Sequence, residues 1–362
     1  MTTTPLPGGS PAKPVNRNLL YYARIALTRI GVNGLGLLML AVFLLPLGYV
    51  FATSFKLDSQ MTTQGAPLWP AAPSTYNYQG KDYPLYIVPG AGGSTQRLAL
   101  VNPYRENSDM VDPAHPEKGV FNVTGRWRTW QPLYRFAPTL KNFIDAWEEV
   151  NFPRLFTNSL LLAGISTIGT LISCILVAYG FTRFKLPGKN ILFIFLISTI
   201  VLPPQATIIP LYILFSKLHW TGTWLPLLVP AFFANAYDVF LLRQYFMSIP
   251  RELDEAAMLD GAGPLSTLIL IIIPQAIPAI TAVTIFHFFF VWNQYFEPLV
   301  YLLGNEKLYP ISVGIGAFVT TYATYPGRSA ATAVLAMLLP AVMFFLAQRQ
   351  FMQGIVVTGV EK

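Results

Sequence analysis

Apolar residues along this chain gather into long runs separated by short polar turns, with one wide exception after the first run. A helix needs roughly 20 mostly apolar residues to cross a bilayer. Six stretches qualify: about Gly31 to Phe55, Leu155 to Tyr179, Ile191 to Leu214, Trp224 to Phe246, Leu265 to Trp292 and Ala330 to Phe351. Polar residues interrupt the fourth and fifth, or prolines punctuate their ends. The pattern predicts an all-α integral membrane protein with six transmembrane helices.

The exception runs from about Lys56 to Asn151 and is far longer than a connector requires. It contains short alternating or β-branched runs at Tyr83–Val88, Arg97–Val101 and Val120–Thr124. Gly80, the Gly90–Gly93 stretch and Gly125 supply turns, and Trp127 and Trp130 supply something to bury. A small β-rich insertion is expected there. The chain thus divides into a tail (1–30), a first span (31–55), the insertion (56–151) and a five-helix core (152–362).

Composition agrees with a membrane. Of 362 residues 53% are apolar and 11% charged, and mean hydropathy is +0.48. Soluble proteins carry about 25% charged residues. The formal net charge of +7 forms no basic stripe with interleaved aromatics, so nucleic acid is not an expected partner. The cations flank the apolar runs instead. Lys13, Arg17, Arg24 and Arg29 precede the first span. Arg183, Lys185 and Lys189 follow the second, Arg243 and Arg251 the fourth, and Arg349 and Lys362 the sixth. The short segments on the other side hold only Lys217, Lys307 and Arg328. Positive charge collects on the cytoplasmic side, which places both termini there and the insertion outside. The single cysteine, Cys174, excludes an internal disulfide and cysteine-based metal sites.

The segment between the fourth and fifth spans carries the most specific pattern. Pro250 suits a first helical turn. Glu252, Asp254 and Glu255 put negative charge at the positive end of the dipole. Ala256, Ala257, Met258 and Leu259 make a short apolar face, and Gly261 permits a sharp exit. A short amphipathic helix over about 250–261 follows, lying on the cytoplasmic side. Physics alone leaves it either an interfacial anchor or a dock for a partner.

Spacing adds more. Glu255-Ala256-Ala257, three residues, Gly261, nine residues, then Ile271-x-Ile273-Pro274 resembles the EAA signature of importer permeases of the ATP-binding-cassette (ABC) class, with Ile273 in place of the usual leucine. Ala178–Phe184, Pro203 with Pro210-Leu-Tyr212, Thr139–Phe143, Asn158-Ser-Leu160 and Gln350–Gly354 resemble the sugar-importer branch, of maltose-importer G-subunit type. The long insertion departs from that compact pattern. The resemblance implies that Glu255, Ala256, Ala257, Asp260, Gly261 and Pro274 couple the chain to an ATPase. It further implies two cytoplasmic ATPase subunits, a second and related permease, an extracytoplasmic solute-binding protein, and residence in a prokaryotic cytoplasmic membrane. It also implies that the segment from Asn305 to Pro326, with Tyr309, Tyr322 and Tyr325, meets the solute receptor; by composition it is a loop with aromatic anchors. No G-x-x-x-x-G-K-[ST] loop occurs in this chain, so ATP and magnesium belong to the partners and no cofactor is expected here.

Polar groups at membrane depth usually face a cavity or each other. Asn235 and Asp238 lie three apart on one helical face. His287 is in the fifth span, Asn293 is near its outer end, and Gln205 follows Pro203 and Pro204, where a kink is expected. These five either line the path of a hydroxyl-rich solute or hold helices together through hydrogen bonds. An ion-coupled carrier would show inverted repeats with interrupted helices, and an enzyme would need a catalytic His or carboxylate constellation; neither is evident. Within the importer reading, amino acids, peptides and other small polar solutes remain alternatives to sugars.

Overall fold

The computed structural model describes residues 19–63, 65–90, 94–318 and 325–356. Lys13, Arg17, Tyr322, Lys362 and the turn residues Ala91 to Gly93 lie outside it, as do the side chains of Arg24 and of Arg349 to Gly354. The chain forms two units, residues 1–50 and 51–362. Most of the first is helix α1 (Leu19–Ser54). Its 29-residue stretch Ala26–Ser54 has a mean hydropathy of 2.4, and a helix apolar all round is a membrane element.

The second unit begins with a short helix α2 (Asp58–Thr62) and an antiparallel β region. Strands β1 (Ala71–Pro73) and β8 (Tyr134–Phe136) pair at its base. Strands β2 (Thr75–Tyr78), β3 (Lys81–Pro89), β4 (Thr95–Pro103), β5 (Asn107–Val111) and β6 (Phe121–Thr124) form a meander, and β7 (Gln131–Pro132) adds to β3. All three runs expected to be strands are strands. Val88, Leu98, Leu100, Met110 and Trp130 close a small core beneath them.

Helix α3 (Lys141–Glu149) leads into α4 (Phe152–Arg183), the longest helix of the second unit. The next stretch splits into α5 (Lys189–Ser198) and α6 (Pro204–Lys217). The two are bent by 101° around Leu202 and Pro203, because Pro203 and Pro204 lack the N–H groups that would continue the ladder. A short helix α7 (Leu225–Leu228) and a 3₁₀ turn precede α8 (Ala236–Ser248). After α9 (Glu252–Leu259) come α10 (Pro264–Thr267), a π-helical turn over Leu268–Ile272, α11 (Ile273–Gln275) and α12 (Ile277–Trp292). The segment Pro264–Gln275 meets α12 at 81°. Short helices α13 (Phe296–Tyr301) and α14 (Ile311–Gly314) lead to α15 (Pro326–Val356).

Among the described residues four helices are long and apolar enough to cross a bilayer, and up to six if each bent pair is one span. The expected count of six is reached only if each bent pair is one span; two of the expected continuous spans are broken, and the expected loop after the fifth is partly helical. One apolar core joins Cys174, Ala178, Val239, Leu242, Phe246, Leu268, Ile272 and Val283 from α4, α8 and the α10–α12 stretch. A second joins Phe152, Leu155, Phe288, Trp292, Ile311 and Ala336.

Buried polar groups tie the insertion to the bundle. Asn142 of α3 donates to the carbonyls of Ser54 (2.9 Å) and Lys56 (2.7 Å). Arg328, in the first turn of α15, contacts both carboxylate oxygens of Glu149 at 2.7 Å and Asp145 at 3.1 Å, with Asp58 at 3.9 Å. In the sequence Arg328 is one of the few cations of the short outer segments; here it is a bridge between α15, α3 and α2. A planar fork is needed for this geometry. Arg328→Ala is expected to destabilise the chain by about 1–3 kcal/mol, and Arg328→Lys to recover less than half of the loss, both read by thermal unfolding in mild detergent.

Candidate functional site

Helix α9 is short, yet it is firmly held. Pro250 and Arg251 turn the chain out of α8, and Glu252, Asp254 and Glu255 occupy the first turn. Glu252 and Glu255 point outward, whereas Asp254 is buried, its side chain only 9% exposed. Its Oδ2 lies 2.9 Å from Nε of Arg183, the last residue of α4, which is equally buried. The Arg183 guanidinium also donates to the Ile249 carbonyl at 3.0 Å, and Arg251 reaches the Thr182 carbonyl at 3.4 Å. The Tyr179 hydroxyl donates to the Pro264 carbonyl at 3.0 Å. Arg183 therefore does more than mark a side of the membrane: with Tyr179 it clamps α9 from both flanks.

The helix ends at Gly261 for a definable reason. Ala262 N–H bonds the Ala257 carbonyl at 2.9 Å and Gly261 N–H bonds the Met258 carbonyl at 3.1 Å. This is the paired pattern of a Schellman cap, which requires a left-handed residue at the glycine position; Gly261 has φ +79°. Ala257 is buried against the body, while Glu255, Ala256, Met258, Leu259 and Asp260 are exposed, Leu259 to 89%. Pro274 does not sit on α9. It lies in the bend after the π-helical turn, where its missing N–H loosens the helix.

Three of the five membrane-depth candidates come together. Asn235 caps α8, its Oδ1 accepting from Asp238 N–H at 2.9 Å while its amide donates to Asp238 Oδ2. The same carboxylate oxygen lies 3.0 Å from His287 Nδ1 on α12. The other ring nitrogen, Nε2, lies 3.1 Å from the Thr170 hydroxyl and 3.2 Å from that of Ser166, both on α4. Thr170 donates onward to the Ala231 carbonyl at 3.0 Å, at the break before α8. Asp238 is 3% exposed and Thr170 1%. The cluster joins three helices, and its polar atoms meet one another.

Gln205 and Asn293 stand apart from it. Gln205 borders an apolar cleft of about 510 Å³ with Ile208, Ile209, Tyr212, Phe296 and Leu303. Asn293 is exposed and donates to Phe289 in its own helix at 2.8 Å. Sequence reasoning passed over Ser166 and Thr170, and gave no role to Asn158 and Ser159. Asn158 donates to the carbonyls of Lys307 and Tyr309, both at 2.9 Å, and Ser159 accepts from Ile311 N–H at 2.8 Å. The only signal for these was polar side chains recurring on one face of an otherwise apolar run. Beyond the membrane-spanning part of α12, Gln294 donates to Glu297, whose carboxyl burial pushes above its usual range against the downward pull of that bond. Among the described residues no group of three or more His, Cys, Asp or Glu could hold a metal.

Residues 165–356 match the family model described as "binding-protein-dependent transport system inner membrane component". The chain belongs to that family. Among curated relatives it is 34% identical to a probable ABC transporter permease of Pyrococcus horikoshii, over 64% of this chain and 85% of that one. It is 32% identical to the osmoprotective compounds uptake permease GgtD of Synechocystis, over 67% and 83%. It is 32% identical to the sn-glycerol-3-phosphate transport system permease UgpE of Pectobacterium atrosepticum, over 57% and 73%. The backbone superposes with a TM-score of 0.60, at 17% identity and over 94% of this chain, on a chain from a bacterial ABC transporter involved in import of the acidic polysaccharide alginate; at that identity the likeness speaks for fold alone. The permease is thus a transport component and not an enzyme, as the resemblance implied.

Two measurements test the geometry. Removing either partner of the Arg183–Asp254 pair leaves the other charged and buried, at a cost of about 3–5 kcal/mol. Arg183→Met and Asp254→Asn should therefore each lower the unfolding temperature, and the double variant should cost less than their sum. For Glu297 the raised folded pKa means stability is fully present below the ordinary carboxyl value of 4.5 and is lost as pH rises through the raised one. Glu297→Gln should therefore gain stability over wild type at pH about 8, with the gap closing toward pH about 4.

Proposed function

We propose that this permease is one of two related membrane halves of an ABC importer carrying a sugar or sugar-like polar solute, and that α9 is the helix through which partner ATPases drive it. In this reading both termini and α9 face the cytoplasm, while α3, the β insertion and the start of α15 lie outside. A solute-binding protein delivers the cargo to that outer face. The ATPases close on ATP and magnesium, pushing α9 and its counterpart in the second permease, and the paired bundles rock between inward- and outward-facing states.

One observation carries the coupling role. Helix α9 presents exposed Met258 and Leu259 beside Glu255 and Asp260, while its opposite face is fastened by a buried ion pair to the end of α4. Force applied at α9 passes directly into α4, which at 32 residues runs about 48 Å to the opposite end of the bundle. An anchor in lipid would not need the buried clamp. The sugar class is supported by the sequence resemblance, and a relative named for sn-glycerol-3-phosphate transport supports a small polar solute more broadly; an amino acid or peptide cargo is the second reading.

In this reading the His287–Asp238–Asn235 cluster holds α4, α8 and α12 in one body during that motion, and Gln205 is the candidate nearest a cleft. Because Leu259 and Met258 are exposed, a Leu259→Asp variant should unfold at the wild-type temperature. It should lose co-purification of the ATPase from native membranes and abolish solute-stimulated uptake in vesicles. Retained ATPase capture and full uptake by that variant would count against α9 as the dock. Mass spectrometry of solute bound to the co-purified binding protein decides between sugar and amino acid.

A further inference from the structure

The β insertion carries a concave site that its fold does not need. Two rims enclose a groove of about 920 Å³, lined by Tyr104, Arg105 and Glu106 on one side and Arg126, Trp127 and Arg128 on the other. That size is at the upper end for small-molecule sites. Both rims are ordered by their own bonds. Tyr104 N–H donates to the buried Ser108 hydroxyl at 3.3 Å. On the other side Thr129 N–H and its hydroxyl both bond the Arg126 carbonyl, at 2.8 and 2.7 Å. Gly125 N–H joins the rims by bonding the Glu106 carbonyl at 2.8 Å. Gly125 has φ +141°, and a Cβ there would meet the Trp130 ring at 3.0 Å, so glycine is required for the second rim to fold down onto the core.

The chemistry of the lining is uneven. Three guanidinium groups face one carboxylate, and among the described residues none of Arg105, Arg126 and Arg128 has an ion-pair partner. Arg128 lies over the Trp127 ring at 5.3 Å, and Trp127 is itself braced edge-on by Tyr86 at 6.3 Å. Tyr104 is half exposed. Guanidinium forks match carboxylates bidentately; with Trp127 covered by Arg128 and packed on the core, Tyr104 is the open ring that can stack on the apolar face of a sugar. The concave shape fits a chain better than a flat lipid surface. We propose that this groove binds a carboxylate-bearing oligosaccharide, separately from the translocation path and whatever the cargo is.

The test uses the full chain in lipid nanodiscs, with tetragalacturonate as probe and maltotetraose as neutral control. Wild type should bind the acidic tetramer and not the neutral one, with affinity falling as salt rises from about 50 to about 300 mM. An Arg105→Gln/Arg128→Gln variant and a Tyr104→Ala variant alter exposed side chains, so both should keep the wild-type unfolding temperature while weakening binding by roughly tenfold or more. Equal binding of both tetramers, no binding, or acidic binding untouched in the variants would overturn the proposal. So would displacement of the tetramer by phosphatidylglycerol vesicles, which would assign the groove to lipid. Uptake by the assembled importer should survive in the variants, so that failure here leaves the transport reading standing.

Discussion

A charge taken out of water must meet its counter-charge within a few ångströms, and at the end of α4 that constraint ties two elements together. Arg183 and Asp254 are buried together, and this pair is the strongest tie that holds α9 to the bundle. An eight-residue helix is far too short to be stable alone. It persists because one face is sealed by the ion pair and Ala257, its start is held by Arg251, and its end is closed by a glycine cap. The outward face is then free to present apolar residues to something else.

Deeper in the bundle the same rule acts on the backbone. Breaks at Pro203–Pro204, before Ala236 and at Pro274 release carbonyl and amide groups that hydrocarbon cannot satisfy. At the break before Ala236 the protein answers with side chains. Asn235 caps the restarted α8 and Thr170 takes up the Ala231 carbonyl. His287 links both to a third helix. Asn158 and Ser159 do the equivalent service for the turns around Tyr309 and Ile311.

The insertion obeys different physics. It has a small apolar core of its own under a meander, and it is joined to α15 through α3, by the apolar contact of Ala146 with Ala331 and by the ion pairs of Arg328. Such joints are specific in geometry but modest in energy.

Much of this protein was legible in one dimension. Long apolar runs, the charge bias of their flanks and the strand-like runs of the insertion are local properties, and each reports an element because period and length suffice to define it. The E-A-A, glycine, proline spacing was legible too, and Gly261 does what a cap glycine must. What the chain order could not convey was pairing. Arg183 read as a topological charge and Asp254 as a dipole partner, yet they are 71 positions apart and bound to each other. Asp238 and His287 could equally have faced a channel; contact between α4, α8 and α12 decided that their polar atoms face one another. Hydropathy places a residue in a helix, but which residue answers a buried charge or an orphaned carbonyl depends on how helices cross, and that is settled only in three dimensions.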